Sequence, residues 1–202
     1  MNDYKTLIIL DWDDTLFPTS WIVKNNINLS DKNMQNQYIV IFSRLDTILY
    51  NLFNKLLKHG QIIIVTNAVI KWIVISSNMI PNTQKILKDK ILVLSARDAF
   101  QNQYPNEMHK WKKKLFEKIV DKYFLKHKLQ NIISAGDAEH EFNALTNLYN
   151  ENSVANLRLL KTVRFIKDPS FEELIDQLEV FNNCVNKILL SRKHMDLKFL
   201  DK

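Results

Sequence analysis

The chain has 202 residues, 46% of them hydrophobic, which fits one globular domain able to bury a core. No apolar stretch reaches the roughly 18 residues of a bilayer-crossing helix, no secretory signal is recognisable, and Cys184 as the lone cysteine excludes an internal disulfide framework, so an intracellular, cytoplasmic or nuclear, setting is expected. A net charge of +6 can draw phosphorylated or nucleic-acid partners by long-range attraction, although solvated lysines of a lysine-rich composition account for most of it.

Short apolar runs alternate with helical patterns along the chain, the signature of an α/β protein with a parallel sheet. Five strands are expected, at Thr6–Leu10, Gln61–Val65, Ile91–Leu94, Asn131–Ser134 and Leu160–Ile166. Each is dense in Ile, Leu or Val, as strands covered on both faces should be. Between the first two, Met34, Tyr38, Ile41, Leu45, Ile48, Leu52 and Leu56 recur at helical spacing, with Ser30 as a candidate cap and Gly60 as the stop. A second helix follows Asn67 and ends before Pro81. A third runs from Pro105 to about Lys126, with Trp111, Leu115, Ile119 and Tyr123 on one face, and a fourth follows Asp137. The last starts after Asp168-Pro169, where Ser170 and Glu173 form a candidate capping box, and continues to about Leu190. The expected organisation is therefore one domain over residues 1–190 and a short charged tail over 191–202.

In open parallel sheets, ligands bind beyond the carboxyl ends of the strands. The chemically informative residues fall there. The first strand ends in Asp11-Trp12-Asp13-Asp14-Thr15, the second in Thr66-Asn67, and the fourth in Gly136-Asp137 with Glu139 and Glu141 close behind. Upstream of the fourth strand a helix opens with Lys110, Lys112, Lys113 and Lys114. Residues two apart on a strand share a side, so Asp13 is expected near Asp11. Successive residues of a helix are about 100° apart, so the four lysines cannot share one site. Lys112, at the flank of the stripe defined by Trp111, Leu115 and Ile119, is the one expected to reach it. Asp14 is read as a turn cap, and Trp12, Trp21, Trp72 and Trp111 as packing residues, Trp21 also suiting a site rim. His109, His140 and Cys184 have no metal-ligand spacing.

In this order the motifs resemble those of the haloacid dehalogenase (HAD) superfamily. Asp11, Asp13 and Thr15 match its D-x-D-x-T, Thr66 its second motif, a lysine ahead of the fourth strand its third, and Gly136-Asp137 with Glu141 its fourth. Glu141 stands where an aspartate is usual. The wider run Asp11 to Trp21 is similar to a little-characterised branch of protists and large viruses. The resemblance implies a three-layer Rossmann-like core without a sizeable cap domain, since neither Phe17–Gly60 nor Ala68–Pro105 has room for one. It implies a Mg²⁺-dependent phosphomonoester hydrolase in which Asp11 is the nucleophile, Asp13 the acid/base, and Thr66 and Lys112 hold and balance the phosphoryl group. By the same resemblance Asp11, Asp13 (through its backbone carbonyl), Asp137 and Glu141 are metal ligands, with Glu139 open as a substitute for Glu141, and Thr15 and Asn67 are substrate contacts.

An open site suits a phosphorylated macromolecule, as in the capless carboxy-terminal-domain phosphatases of RNA polymerase, whose D-L-D-E-T-L is similar to Asp11–Leu16, or a small ligand closed in by a partner subunit; a protein or other macromolecule is the candidate substrate, with nucleic acid as a further candidate and no membrane. Two rival readings are a catalytically silent scaffold binding a partner through a basic face, and a phosphoacceptor module like a response-regulator receiver. The intact set Asp11, Asp13, Thr66 and Asp137 speaks against silence. Receivers place their acid pair away from the phosphorylated strand and are shorter.

Overall fold

Side-chain alternation along the first strand, β1 (Thr6–Leu10), divides the molecule into two apolar layers. Leu7 and Ile9 enter one core cluster, and Ile8, Leu10 and then Trp12 enter the other. The computed structural model describes residues 6–124, 129–151 and 158–200. Among them β1 is followed by β2 (Gln61–Thr66), β3 (Leu92–Ser95), β4 (Asn131–Gly136), β5 (Leu159–Arg164) and β6 (Met195–Lys198). These strands pair in parallel in the order β3-β2-β1-β4-β5-β6. β1 therefore lies inside the sheet with β2 and β4 on its two sides, which sends Asp11, Thr66 and Asp137 to one edge.

Helices cover both faces, the arrangement a buried parallel sheet requires. On one face, α2 (Lys32–Leu56) and α8 (Phe171–Leu190) contribute Phe42, Leu45, Leu49, Leu174 and Leu178 to the larger core, joined by Ile22 of α1 (Thr19–Lys24), Ile73 of α3 (Ile70–Ser77) and Ile86 of α4 (Pro81–Lys90). On the other face, Phe100 of α5 (Ala96–Phe100), Trp111, Leu115, Phe116, Ile119 and Val120 of α6 (Met108–Phe124), and Ala144, Leu145 and Leu148 of α7 (Glu139–Glu151) close the second core. No helix among the described residues is long and apolar enough to cross a membrane.

Several expectations need correction. The sheet has six strands where five were expected, because residues assigned to a charged tail fold back as β6 beside β5. The N-cap of α2 is Asp31, whose carboxylate accepts from the Asn33 amide at 2.8 Å, and not Ser30. The segment between β1 and α2 holds the short helix α1, and the one after β3 holds α5. The capping box is as expected: Ser170 Oγ accepts from the Glu173 amide at 3.3 Å and the Glu173 carboxylate accepts from the Ser170 amide at 2.8 Å. The helix boundary expected near Lys126 and the Tyr123 side chain lie outside the described residues.

Candidate active site

The ladder between β1 and β4 carries on one step past the strand end, where the Asp11 amide donates to the Ala135 carbonyl at 2.9 Å. Asp11 continues the face of Leu7 and Ile9, the face that α6 and α7 cover, so its carboxylate meets residues of those helices. Lys112 of α6 places its Nζ 2.7 Å from Asp11 Oδ1 and also against Glu141 Oε1. The three side chains are 3–5% exposed, so this is a buried ion triad. The other lysines of the cluster point elsewhere: Lys110 pairs with Glu107, Lys113 with Glu151 at 2.8 Å, and Lys114 with Glu117 at 2.8 Å.

Glu141 reaches the triad by folding over the end of β4. Its Oε2 accepts from the Ala138 amide at 3.1 Å. A Cβ at Gly136 would meet Glu141 Cδ and Oε2 at 2.6 Å, so the position admits only glycine while Glu141 keeps this course. Glu139, two residues earlier, faces the other way and lies 3.5 Å from Arg164, two-thirds exposed.

Ligand oxygens of Asp11, Asp137 and Glu141 lie within 4.8 Å of one another. Three carboxylates gathered this closely are the kind of oxygen set that would hold a Mg²⁺ ion after side-chain adjustment. Charge points the same way, because three carboxylates face a single ammonium and a divalent cation would close the deficit. Burial foremost, and then Glu141, Asp137 and Asp13, push the Asp11 carboxyl well above the usual aspartate range against the pull of Lys112. Asp137 is raised to about 7 by burial and then by Glu141, again opposed by Lys112. Burial would lower the Lys112 pKa, but Asp11 and Glu141 more than offset it and the ammonium is kept.

Asp13 stands on the same side of the loop but is held by a different set. Its Oδ2 accepts from Thr66 Oγ1 at 2.8 Å, and its Oδ1 accepts from Thr19 Oγ1 at 2.6 Å and from the Trp72 indole at 2.8 Å. Thr66 Oγ1 itself accepts from the Ala68 amide at 2.9 Å. Its single proton is thus directed at Asp13. Trp72 was read as a packing residue; its ring does pack edge-on against Phe17, but its N–H serves Asp13. Thr19 and Trp72 are the site residues sequence reasoning missed. Neither belongs to a strand-end motif, and Trp72 lies 59 residues from Asp13 in the chain.

The intervening Trp12 faces the opposite core, fully buried, its ring stacked 5.6 Å from Phe17 and its indole donating to Ser76 Oγ at 3.1 Å. Its carbonyl accepts from the Leu16 and Phe17 amides at 2.9 Å each, which curls the loop back on itself. Asp14 takes the turn at φ 54°, a left-handed conformation that Asp tolerates better than most residues. Its carboxylate accepts from the Ser20 amide at 2.8 Å and from the Ser20 hydroxyl, so it caps the next segment as expected. Thr15 is wholly buried and Asn67 half-buried; Thr15 Oγ1 and Asn67 Oδ1 have no hydrogen-bond partner among the described residues. A cavity of about 660 Å³ opens at the opposite edge of the sheet, between Asn131 and Leu189, and shares no residue with this centre. No known protein-family model, curated protein or solved structure gives a significant match to the chain.

Proposed function

We propose that this chain is a Mg²⁺-dependent phosphomonoester hydrolase of the HAD kind, with Asp11 as nucleophile. The observation that carries the reading is the convergence, at one sheet edge, of a nucleophile-type aspartate with a buried lysine and two further carboxylates within reach of one ion. When bound by Asp11, Asp137 and Glu141, Mg²⁺ would neutralise phosphoryl oxygens and let an anionic nucleophile approach.

Lys112 holds Asp11 by Oδ1 and leaves the other oxygen to attack phosphorus. The new Asp11–phosphorus bond forms as the bond to the leaving oxygen breaks, and that oxygen receives a proton relayed from solvent by Asp13 as the acid/base. Asp13 then takes a proton from the water that attacks the aspartyl phosphate, releasing inorganic phosphate and restoring Asp11. Thr66, Thr19 and Trp72 fix the orientation of Asp13 for both transfers. The segments joining β1 to β2 and β2 to β3 contain only α1 and α2, and α3 and α4, with no cap-sized insertion. No cap domain therefore stands over the strand ends, which suits a large phosphorylated substrate, a protein or a nucleic acid.

The test is hydrolysis of p-nitrophenyl phosphate with and without Mg²⁺, by the native chain and by Asp11→Asn. Metal-dependent turnover, lost in Asp11→Asn with the melting temperature kept, is expected. Mg²⁺ binding without turnover on any phosphomonoester would favour a silent scaffold instead.

A further inference from the structure

A cavity of about 460 Å³ begins at Asp137 and runs along the ends of β4, β5 and β6 to Lys198. Unlike the carboxylate centre it adjoins, it holds more cations than carboxylates: Arg164, Lys167 and Lys198 line it together with Glu139, Asp137 and His140. The Arg164 guanidinium lies 3.4 Å over the Phe142 ring, is held by Asp196 at 2.6 and 2.8 Å, and cannot swing away. Lys167 and Lys198 are exposed and form no ion pair with a described residue. Register sets their placement: Gly136 is level with Arg164, and Arg164 with Lys198. Two strand spacings, about 10 Å, thus separate the end of β4 from Lys198. Phe199 packs on Phe165 at 5.2 Å and lends the cavity an apolar wall.

Resting on the phosphatase reading above, we propose that this cleft seats a second phosphate of the substrate. The preferred substrate is then a phosphomonoester whose alcohol carries another phosphate nearby, as a nucleoside bisphosphate or the phosphorylated end of a polynucleotide does. Lys167, and Lys198 with its charge partly balanced by nearby Asp196, offer ammonium donors beside a guanidinium, as such an anion needs. The volume is within the range of small-ligand sites, and the apolar wall gives the part between the phosphates a surface to lie on. β6 is what makes the cleft, since without it Lys198 and Phe199 would be absent.

Three probes separate the possibilities: AMP, adenosine 3′,5′-bisphosphate and a 5′-phosphorylated oligothymidylate. The native chain is expected to give a kcat/KM at least about tenfold higher on a substrate with a second phosphate than on AMP, with the preference carried in KM. In the Lys167→Ala/Lys198→Ala double variant that ratio should fall about tenfold, and its salt dependence should flatten. A higher value on the oligonucleotide than on the bisphosphate identifies a polymer end, and the reverse a small molecule. Calorimetric titration of the same probes into Asp11→Asn reads the cleft without turnover. Equal affinity for AMP and both probes with a second phosphate, or a ratio unmoved in the double variant, overturns the second-phosphate site even if AMP is hydrolysed. Tighter, lysine-dependent binding of the probes with a second phosphate with no turnover by the native chain keeps the anion site and overturns the phosphatase reading.

Discussion

Removing Lys112 tests the centre where structure and chemistry are most tightly joined. In Lys112→Met the chain keeps the aliphatic stem but loses the one cation that, among the described residues, pairs with Asp11 and Glu141, and all three side chains are at most 5% exposed. Water cannot replace the ammonium there, so surface screening gives no discount. Breaking a buried ion pair by deleting one partner costs about 3–5 kcal/mol, because the charge left behind is uncompensated. For a chain of this length about 2–4 °C of melting temperature goes with each kcal/mol, so a fall of about 6–20 °C is expected at pH 8 in EDTA.

The sign of the pH dependence follows from the carboxyls. Burial already raises Asp11 in the folded chain, and without Lys112 it rises further. A group whose folded pKa lies above its unfolded value favours folding while protonated and disfavours it once ionised. The deficit should therefore shrink as pH is lowered through the range above about 4, and vanish only below the unfolded value, where both states are protonated. Saturating Mg²⁺ should restore part of the loss, about 2.7 kcal/mol at a hundred times its Kd, but not turnover. Scanning calorimetry at pH 5 and pH 8, with EDTA and with Mg²⁺, gives all four numbers. A change below about 3 °C at pH 8 in EDTA, or a deficit that grows on acidification, would refute the buried triad.

Three further outcomes follow from the same geometry. Gly136→Ala forces the Glu141 side chain off the end of β4, so turnover and Mg²⁺ affinity should both drop, with a stability cost of about 1–3 kcal/mol; unaltered Mg²⁺ binding by calorimetry would mean Glu141 is not part of the metal set. Trp72→Phe keeps a ring against Phe17 but removes the N–H from Asp13, and a hydrogen bond to a charged group is worth about 1.5–3 kcal/mol. It should lower kcat about tenfold or more and the melting temperature by about 3–12 °C, and an unaltered kcat would remove Trp72 from the site. Asp137, raised to about 7, holds a proton that Mg²⁺ must displace below that pH, so Mg²⁺ affinity should weaken about tenfold for each pH unit below 7 and level off above. In the metal-free chain the same group makes stability fall as pH rises from about 4 to about 7, and an affinity flat from pH 5 to pH 8 would exclude Asp137 as a ligand.

The strands that could be read in the sequence are those buried on both faces, since their residues are apolar whichever way they point. β1 and β2 are wholly or almost wholly buried, and their bounds match the apolar runs to within a residue. β6 was invisible for the converse reason. Met195-Asp196-Leu197-Lys198 is short, half charged and at the sheet edge, where charges deter pairing with other chains. Within the site, the strand-end acids were legible because parallel topology sends strand ends to one place. Lys112 was legible because helix phase alone puts it beside Trp111 and Phe116, both of which are buried. Thr19 and Trp72 were not, because their contacts with Asp13 depend on how α1 and α3 settle over the loop, a tertiary outcome with no local pattern. The cap of α2 was misread by one residue, since Ser30 and Asp31 are both good N-caps and only the entering backbone decides between them.

The edge strand also explains a lysine that no motif accounts for. Lys161 of β5 is fully buried and pairs with no carboxylate among the described residues. Its Nζ donates to the carbonyls of Ile188 at 2.7 Å, Leu189 at 3.1 Å and Ser191 at 2.8 Å. Those carbonyls end α8, where the helix leaves its last acceptors unpaired and its dipole is negative, so a cation there is stabilised without a counter-ion. Burial nevertheless lowers the Lys161 pKa, so the helix end and not solvent holds its charge. The effect is to fix where α8 stops and in which direction the chain leaves it. From that point Ser191 leads into β6, whose Met195 is level with Lys161 itself. One buried side chain thus ties the end of the last helix to the strand beside which β6 pairs. Asp196 and Lys198 stand beside Thr162 and Arg164 in that pairing, and the positive wall next to Asp137 is built from a segment that local sequence leaves without assignment.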